Sequence, residues 1–245
     1  MSQIIQQGLV HVYFTEHIIY IVIGIILSAV IGYLLGSLNF ALVLSKVLYK
    51  DDIRKHGSGG AGLTNMQRTY GNKAAIGVLV GDVLKTVVAV IIGSLLLGGA
   101  ISDGFIGGYI GGVASVIGHC FPVYYRFRGG KGVLSAATLV LVTSPVIFAL
   151  CMILFVAIVL ATKYVSLGSI FAVLVYPLLL ANLTGHGPHV LFAIFIALLV
   201  VFLHRANVKR LINGEESKLN LRKKSKDKDK TSYKSSKDNT SKTDK

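Results

Sequence analysis

The chain has 245 residues, of which 53% are apolar and 15% charged, and its mean hydropathy is +0.68. A soluble domain carries roughly 25% charged residues, so composition excludes the soluble globular classes and indicates an integral membrane protein. The net charge is nevertheless +14: residues 1–213 carry +9 (14 Lys/Arg, 5 Asp/Glu) and residues 214–245 carry +5 (11 Lys/Arg, 6 Asp/Glu).

The pattern predicts an all-α polytopic fold with about seven transmembrane helices. The apolar segments cover residues 18–48, 74–98, 104–122, 132–143, 145–162, 165–183 and 189–204. No Lys or Arg precedes the first segment, so it lacks the basic region of a cleaved signal peptide and is expected to be retained. As a helix it would be about 46 Å long against a hydrocarbon core of about 30 Å, so it should tilt or break near Gly36-Ser37. The second segment carries Asp82 and Lys85, three apart and so on one face. They read either as an ion relay or as a mutually satisfied pair joining helices, and the second is favoured. The third is rich in glycine (Gly104, Gly107, Gly108, Gly111, Gly112), which lets helices approach closely. The fourth, twelve residues ending before Pro145, is short enough to be a half-helix packed on protein. Cys120 and Cys151 fall in or beside apolar segments and read as small buried hydrophobes.

Charge orients the segments. Lys46, Lys50, Arg54, Lys55, Arg68 and Lys73 lie between segments one and two, Arg126, Arg128 and Lys131 between three and four, and Lys163 between five and six. With seven crossings these positions share one side with everything from Arg205 onward, whereas 1–17, 99–103, 143–145 and 184–188 hold no Lys or Arg. Cytoplasmic loops are enriched in Lys and Arg, so the N-terminus is placed outside and the C-terminus in the cytoplasm. Residues 1–213 then form the transmembrane domain. Residues 214–245, rich in Lys, Ser, Asp and Thr, form a basic tail expected to be disordered.

Three polar clusters fall on that cytoplasmic side. In Ile53 to Arg68, four glycines (57, 59, 60, 62) let backbone amides approach an anion; Ser58, Thr64 and Asn65 add donors, and Arg54 and Arg68 add charge suited to phosphate. The string Gly57 to Gly62 also matches G-x-G-x-x-G with Asp82 twenty residues on. No strand precedes it and Asp82 lies within a predicted transmembrane helix, so a dinucleotide site is rejected. In His119 to Gly132, Gly129, Gly130 and Gly132 flank Lys131 just before a helix, a position favouring anions through amides and the helix dipole. No Ser or Thr follows that Lys, so it is not a Walker loop. At the end of segment seven, if the helix continues, His204, Asn207 and Arg210 share one face. Ser166 and Ser169 open segment six.

Together these stretches resemble the bacterial membrane glycerol-3-phosphate acyltransferases that use acyl phosphate as donor (the PlsY type). The matching residues are Gly36 to Asn39, Arg54 to Arg68, Phe121-Pro122, Phe127 to Gly132, Tyr164 to Ser169 and His204 to Glu216, covering about residues 30–218 in order. One departure is Gly60, where the family usually has Asn. The resemblance implies transfer of a fatty acyl group from acyl phosphate to the 1-hydroxyl of glycerol 3-phosphate, giving lysophosphatidic acid and phosphate. It implies no cofactor and no metal. Its partners would be the two substrates and the bilayer, with no nucleic acid. The protein would lie in the cytoplasmic (inner) membrane with its site toward the cytoplasm. Ser58, Arg68, Lys131, His204 and Asn207 would be catalytic: Lys131 and Arg68 holding phosphate, Ser58 donating, His204 and Asn207 orienting the hydroxyl. Arg54, Gly57, Gly59, Thr64, Asn65, Arg128, Gly129, Gly130, Gly132, Ser166 and Ser169 would bind substrate. None of the seven histidines has Asp five residues on, which argues against the His-x-x-x-x-Asp acyltransferases. A transporter is the rival reading, but it predicts internal repeats, which are not apparent, and polar groups at the midplane, to which only Asp82 and Lys85 come near.

Overall fold

The structure, a computed structural model, describes residues 2–97, 105–185 and 187–219, and their side chains apart from residues 2–17 and 105. The 99–103 connection, Gly104 and residues 220–245, most of the predicted tail, lie outside the described residues. Among the described residues ten α-helices follow one another: α1 (Ser2–Ser37), α2 (Phe40–Tyr49), α3 (Leu63–Tyr70), α4 (Asn72–Leu97), α5 (Phe105–Cys120), α6 (Val133–Thr143), α7 (Pro145–Thr162), α8 (Val165–Thr184), α9 (Gly187–Leu203) and α10 (Arg205–Ile212).

The first apolar segment breaks where its length requires, at Leu38-Asn39, directly after Gly36-Ser37. The Asn39 side chain accepts from the Leu42 amide at 3.2 Å and starts α2 afresh. Lys50, left-handed at φ 54°, ends α2. Among the described residues, five helical stretches are long and apolar enough to cross a bilayer, six if α9 and α10, bent by 54°, count as one. The expected seven is therefore not reached by length and composition. The shortfall is α6, whose 11 residues rise only about 16 Å, roughly half a hydrocarbon core. Helices α3 and α10 are short and polar, each with a narrow apolar face (Leu63, Met66 and Tyr70; Val208, Leu211 and Ile212) too brief to read as a membrane segment.

The glycines of α5 bring three helices together. A Cβ on Gly36 of α1 would lie 2.6 Å from Ser115 Cα, and one on Gly93 of α4 would strike the Gly107 backbone. Large side chains therefore face outward, including Leu95, Val146 and Leu198, each more than 60% exposed, as suits a lipid solvent.

Asp82 and Lys85 act as a buried fastener. Lys85 Nζ lies 2.7 Å from Asp82 Oδ1 and donates to the carbonyls of Gly36 and Leu38, both at 3.0 Å, satisfying the backbone at the α1 break. His119 Nδ1 sits 3.1 Å from the same ammonium. Removing one member of a buried pair strands the other charge, so Lys85→Met is expected to destabilise the protein by about 3–5 kcal/mol. Thermal unfolding in detergent should show a large drop in Tm, partly recovered in the Asp82→Asn/Lys85→Met double variant; an unchanged Tm in the single variant would contradict the fastening role.

Candidate active site

The polar loops meet at one end of the bundle. Lys131, from the loop before α6, donates to Asn207 Oδ1 of α10 at 2.5 Å. Asn207 Nδ2 donates to Glu216 Oε1 at 2.7 Å, and that oxygen also accepts from Ser166 Oγ of α8 at 2.8 Å. Arg210 Nε donates to Glu216 Oε2 at 2.8 Å, and Arg68 Nη2 of α3 donates to the Ser217 carbonyl at 3.3 Å. Gly214, at φ +71°, turns the chain back so that residues 215–219 lie along this face, and the Leu219 amide donates to the Lys163 carbonyl at 2.7 Å. Glu216, two residues after Gly214, is thus the carboxylate that enters this network, and the contacts at this end of the bundle continue past residue 213.

Beneath this network lies a cavity of about 600 Å³. Its mouth holds Ser58, Arg68, Lys131, His204, Asn207 and Arg210, and its depth is apolar, walled by α6, α7, α8 and α9. The first turns of α3, α6, α8 and α10 all contribute to its lining. None of these four helices has a side-chain cap bond at its start. In α3 and α10 the third amides, those of Asn65 and Asn207, donate back to the carbonyls of Gly62 and His204, so it is the leading amides, before that first backbone bond, that an anion can reach.

The charges follow from this packing. Burial lowers Lys131 to about 8, with Arg210 and Arg68 pushing the same way and Glu216 opposing them. His204, in the bend between α9 and α10, is lowered to about 4, chiefly by burial, and is neutral near pH 7. Its Nδ1 lies 2.7 Å from the Val200 carbonyl. A carbonyl only accepts, so Nδ1 carries the proton and Nε2 is the acceptor. Glu216 is lowered despite its burial, through hydrogen bonds from Asn207, Arg210 and Ser166.

All five residues expected to be catalytic line the cavity, together with Thr64, Asn65, Gly129, Gly130, Gly132, Ser166 and Ser169. Several do a different job from the one expected. Asn65 is fully engaged inside its own loop: Nδ2 donates to the carbonyls of Ile53, His56 and Gly60, and Oδ1 accepts from the Ser58 amide at 3.0 Å. Asn207 spends both amide atoms on Lys131 and Glu216, so it holds those groups rather than a hydroxyl. The Ser169 hydroxyl donates back to the Val165 carbonyl. The amides of Gly129 and Gly130 are not free, because they donate to the carbonyls of Cys120 and His119 at 3.1 and 3.0 Å. These glycines serve close approach: a Cβ on Gly130 would lie 2.6 Å from the Ala61 carbonyl oxygen.

Arg54, Gly57, Gly59 and Arg128 do not line the cavity. Arg54 forks onto Asp52 and donates to the Arg128 carbonyl at 3.0 Å, bracing one loop against the other. Gly57 and Gly59 take positive φ (54° and 71°) to turn the first loop. Gly60 lines the cavity, and a Cβ there would meet only Ser58 Oγ at 3.6 Å, so its lack of a side chain leaves open space. Sequence reasoning did not place Arg210 or Glu216 among the site residues. An opposite charge six residues after Arg210, across a glycine turn, was the available signal.

A cationic mouth ringed by helix N-termini over an apolar cleft defines a protein that handles an anionic head group joined to a lipid chain at a membrane surface. Comparison with known proteins narrows that class. A family profile described as glycerol-3-phosphate acyltransferase matches residues 26–214. The glycerol-3-phosphate acyltransferase of Thermoanaerobacter pseudethanolicus is 43% identical over 194 residues, covering 79% of this chain and 95% of its own length. That of Clostridioides difficile is 38% identical over 198 residues, covering 81% and 97%. The crystal structure of PlsY (YgiH), an integral membrane glycerol 3-phosphate acyltransferase, in its glycerol 3-phosphate form superposes with a TM-score of 0.73 at 34% identity, covering 80% of this chain and 96% of that one. Its lysophosphatidic acid form gives 0.70 at 33% identity. The chain belongs to the glycerol-3-phosphate acyltransferase family, and it is an integral membrane enzyme.

Proposed function

We propose that the protein transfers a fatty acyl group from acyl phosphate to the 1-hydroxyl of glycerol 3-phosphate, releasing lysophosphatidic acid and inorganic phosphate. The observation that carries this reading is the convergence of four uncapped helix starts with Lys131, Arg68 and Arg210 on the mouth of an apolar cleft. Both substrates are phosphates and one carries a lipid tail, so head groups sit at the mouth and the acyl chain descends between α6 and α9.

Acyl phosphate is already an activated mixed anhydride, so holding it beside the acceptor and neutralising the leaving phosphate can supply most of the acceleration. Lys131, Arg68 and Arg210 neutralise the phosphates. Ser58, on the exposed rim of the first loop, donates a hydrogen bond to them. His204 Nε2 accepts from the attacking hydroxyl and aims it at the acyl carbon. The hydroxyl oxygen bonds to that carbon, the carbon–oxygen bond to phosphate breaks, and phosphate leaves with the electron pair. The proton goes to the phosphate: breaking the carbon–oxygen bond of the acyl phosphate dianion releases phosphate as a trianion, a far stronger base than the buried neutral imidazole of His204, and protonation gives hydrogen phosphate. His204 orients the hydroxyl without keeping its proton. Asn207 and Glu216 hold Lys131, and Asn65 shapes the first loop.

We also place the N-terminus outside and the site in the cytoplasm, at the inner membrane, with seven passes. The basic connections before α3, before α6, before α8 and after α9 lie together through Lys131–Asn207, Arg68–Ser217 and Leu219–Lys163, so α6 and α7 must leave this end and return. On this reading α6 is the short outward arm. The acyltransferase domain reaches past residue 213 to include Glu216, and the basic tail follows it.

The donor assignment is tested with purified protein given dodecanoyl phosphate or dodecanoyl-CoA: product from the first alone is expected, and product from the CoA ester alone would overturn it. Lys131 also sets a pH limit. Its ammonium, lowered to about 8, loses its charge as pH rises through that value, so phosphate binding weakens. For glycerol 3-phosphate, kcat/KM should fall about tenfold per pH unit above about pH 8, and the fall should be absent in Lys131→Arg, whose side chain stays charged. Steady-state rates to about pH 10 check this, and a wild-type profile flat to that limit would contradict it.

A further inference from the structure

The apolar depth of the cavity has an end. On α8 the lining positions Ser166, Ser169, Ala172, Val173 and Tyr176 form a single stripe that stops at Tyr176. It stops at a comparable depth elsewhere: at Val140 on α6, Phe148 on α7 and Ile196 on α9. One turn farther from the mouth, Leu180 on α8 and Ala193 on α9 are buried and pack with Val140, Ile147 and Tyr176 in one cluster. The cleft is therefore a blind pocket whose floor is close-packed protein, and the Tyr176 ring, 2% exposed, is its largest floor residue.

We propose that Tyr176, flanked by Val140 and Phe148, is the end wall that sets the length of acyl chain the cleft accepts. This rests on the acyl-transfer reading above and adds a specificity determinant to it. From Ser166 to Tyr176 the helix rises about 15 Å at 1.5 Å per residue, the reach of an extended chain of about twelve carbons. A dodecanoyl chain fills the pocket to the ring, and longer chains must bend back on themselves within it. A close-packed floor yields only at a cost, which makes it a gauge rather than a soft boundary.

Two substitutions move the floor in opposite directions. Tyr176→Ala removes the ring and deepens the pocket. Ala172→Leu, one turn (about 6 Å) nearer the mouth, raises a new floor. The measurement is kcat/KM for octanoyl, dodecanoyl and hexadecanoyl phosphate with glycerol 3-phosphate, on purified full-length protein. Tyr176→Ala should raise the hexadecanoyl-to-dodecanoyl ratio about tenfold, and Ala172→Leu should lower the dodecanoyl-to-octanoyl ratio about tenfold, the discrimination typical of one methylene or more in an apolar pocket. Should Tyr176→Ala fail to fold, Tyr176→Leu, which keeps an apolar side chain, replaces it. Either ratio unchanged in a variant that still turns over octanoyl phosphate overturns the gauge alone. A wild-type protein inactive on all three donors removes the acyl-transfer reading, and the gauge with it.

Discussion

Replacing Lys131 with methionine should lower kcat/KM about a thousandfold while leaving Tm nearly unchanged. Lys131 is the cation most deeply set in the mouth, aimed by Asn207 and placed between two helix N-termini, those of α6 and α10. Its charge is worth most there because little water screens it, and loss of one such preorganised donor typically costs 10²–10³ in rate, about 3–4 kcal/mol. The fold should tolerate the change: methionine keeps an apolar stem, while Asn207 and Glu216 stay tied to each other and Glu216 to Ser166 and Arg210. Lys131→Arg should recover part of the loss, since it restores charge but not the compact ammonium. Steady-state kinetics with thermal unfolding in detergent reads both effects. A loss below tenfold with the fold intact would move phosphate neutralisation away from Lys131.

Replacing His204 with alanine should lower kcat about a hundredfold to a thousandfold, with little change in KM for either substrate. The reasoning is geometric. The bend between α9 and α10 places this ring at the mouth, the Val200 carbonyl fixes its tautomer, and burial keeps it neutral, so Nε2 presents a lone pair to a hydroxyl. If its task is orientation, His204→Gln should retain more activity than the alanine variant, because the amide oxygen also accepts a hydrogen bond. If the ring instead stored the proton, glutamine would be as poor as alanine. Full activity in His204→Ala would remove the residue from the reaction.

The place of both residues at the polar end of the bundle was legible in the sequence, and the reason is chemical. Glycines beside Lys131 and a polar run after an apolar segment have no use in a lipid-facing helix, so their presence marks the end at which the cavity opens. The partners of those residues were not legible. Whether the amides of Gly129 and Gly130 face a ligand depends on the carbonyls of His119 and Cys120, which only tertiary packing brings near. Asn65 reads as a donor to substrate until Ile53, His56 and Gly60 are seen to surround it. Glu216 and Arg210 meet across a turn made by Gly214, and neither residue alone signals that contact.

The fold divides in the same way. The break in the first segment followed from its excess length, although its position was decided by the cap of Asn39. The count of seven came from charge parity, whereas helix length alone supports five or six because α6 is half a membrane long. Asp82 and Lys85 were legible as a pair, but their use in holding the broken α1 backbone depends on the carbonyls of Gly36 and Leu38.

The central claim is that one site joins an acyl group from acyl phosphate to glycerol 3-phosphate. Phosphorus NMR of the purified protein with dodecanoyl phosphate and glycerol 3-phosphate reads all four phosphorus species at once. Both substrates should disappear as lysophosphatidic acid and inorganic phosphate appear in equal amounts. Inorganic phosphate without lysophosphatidic acid, or both substrates left unchanged, would contradict it.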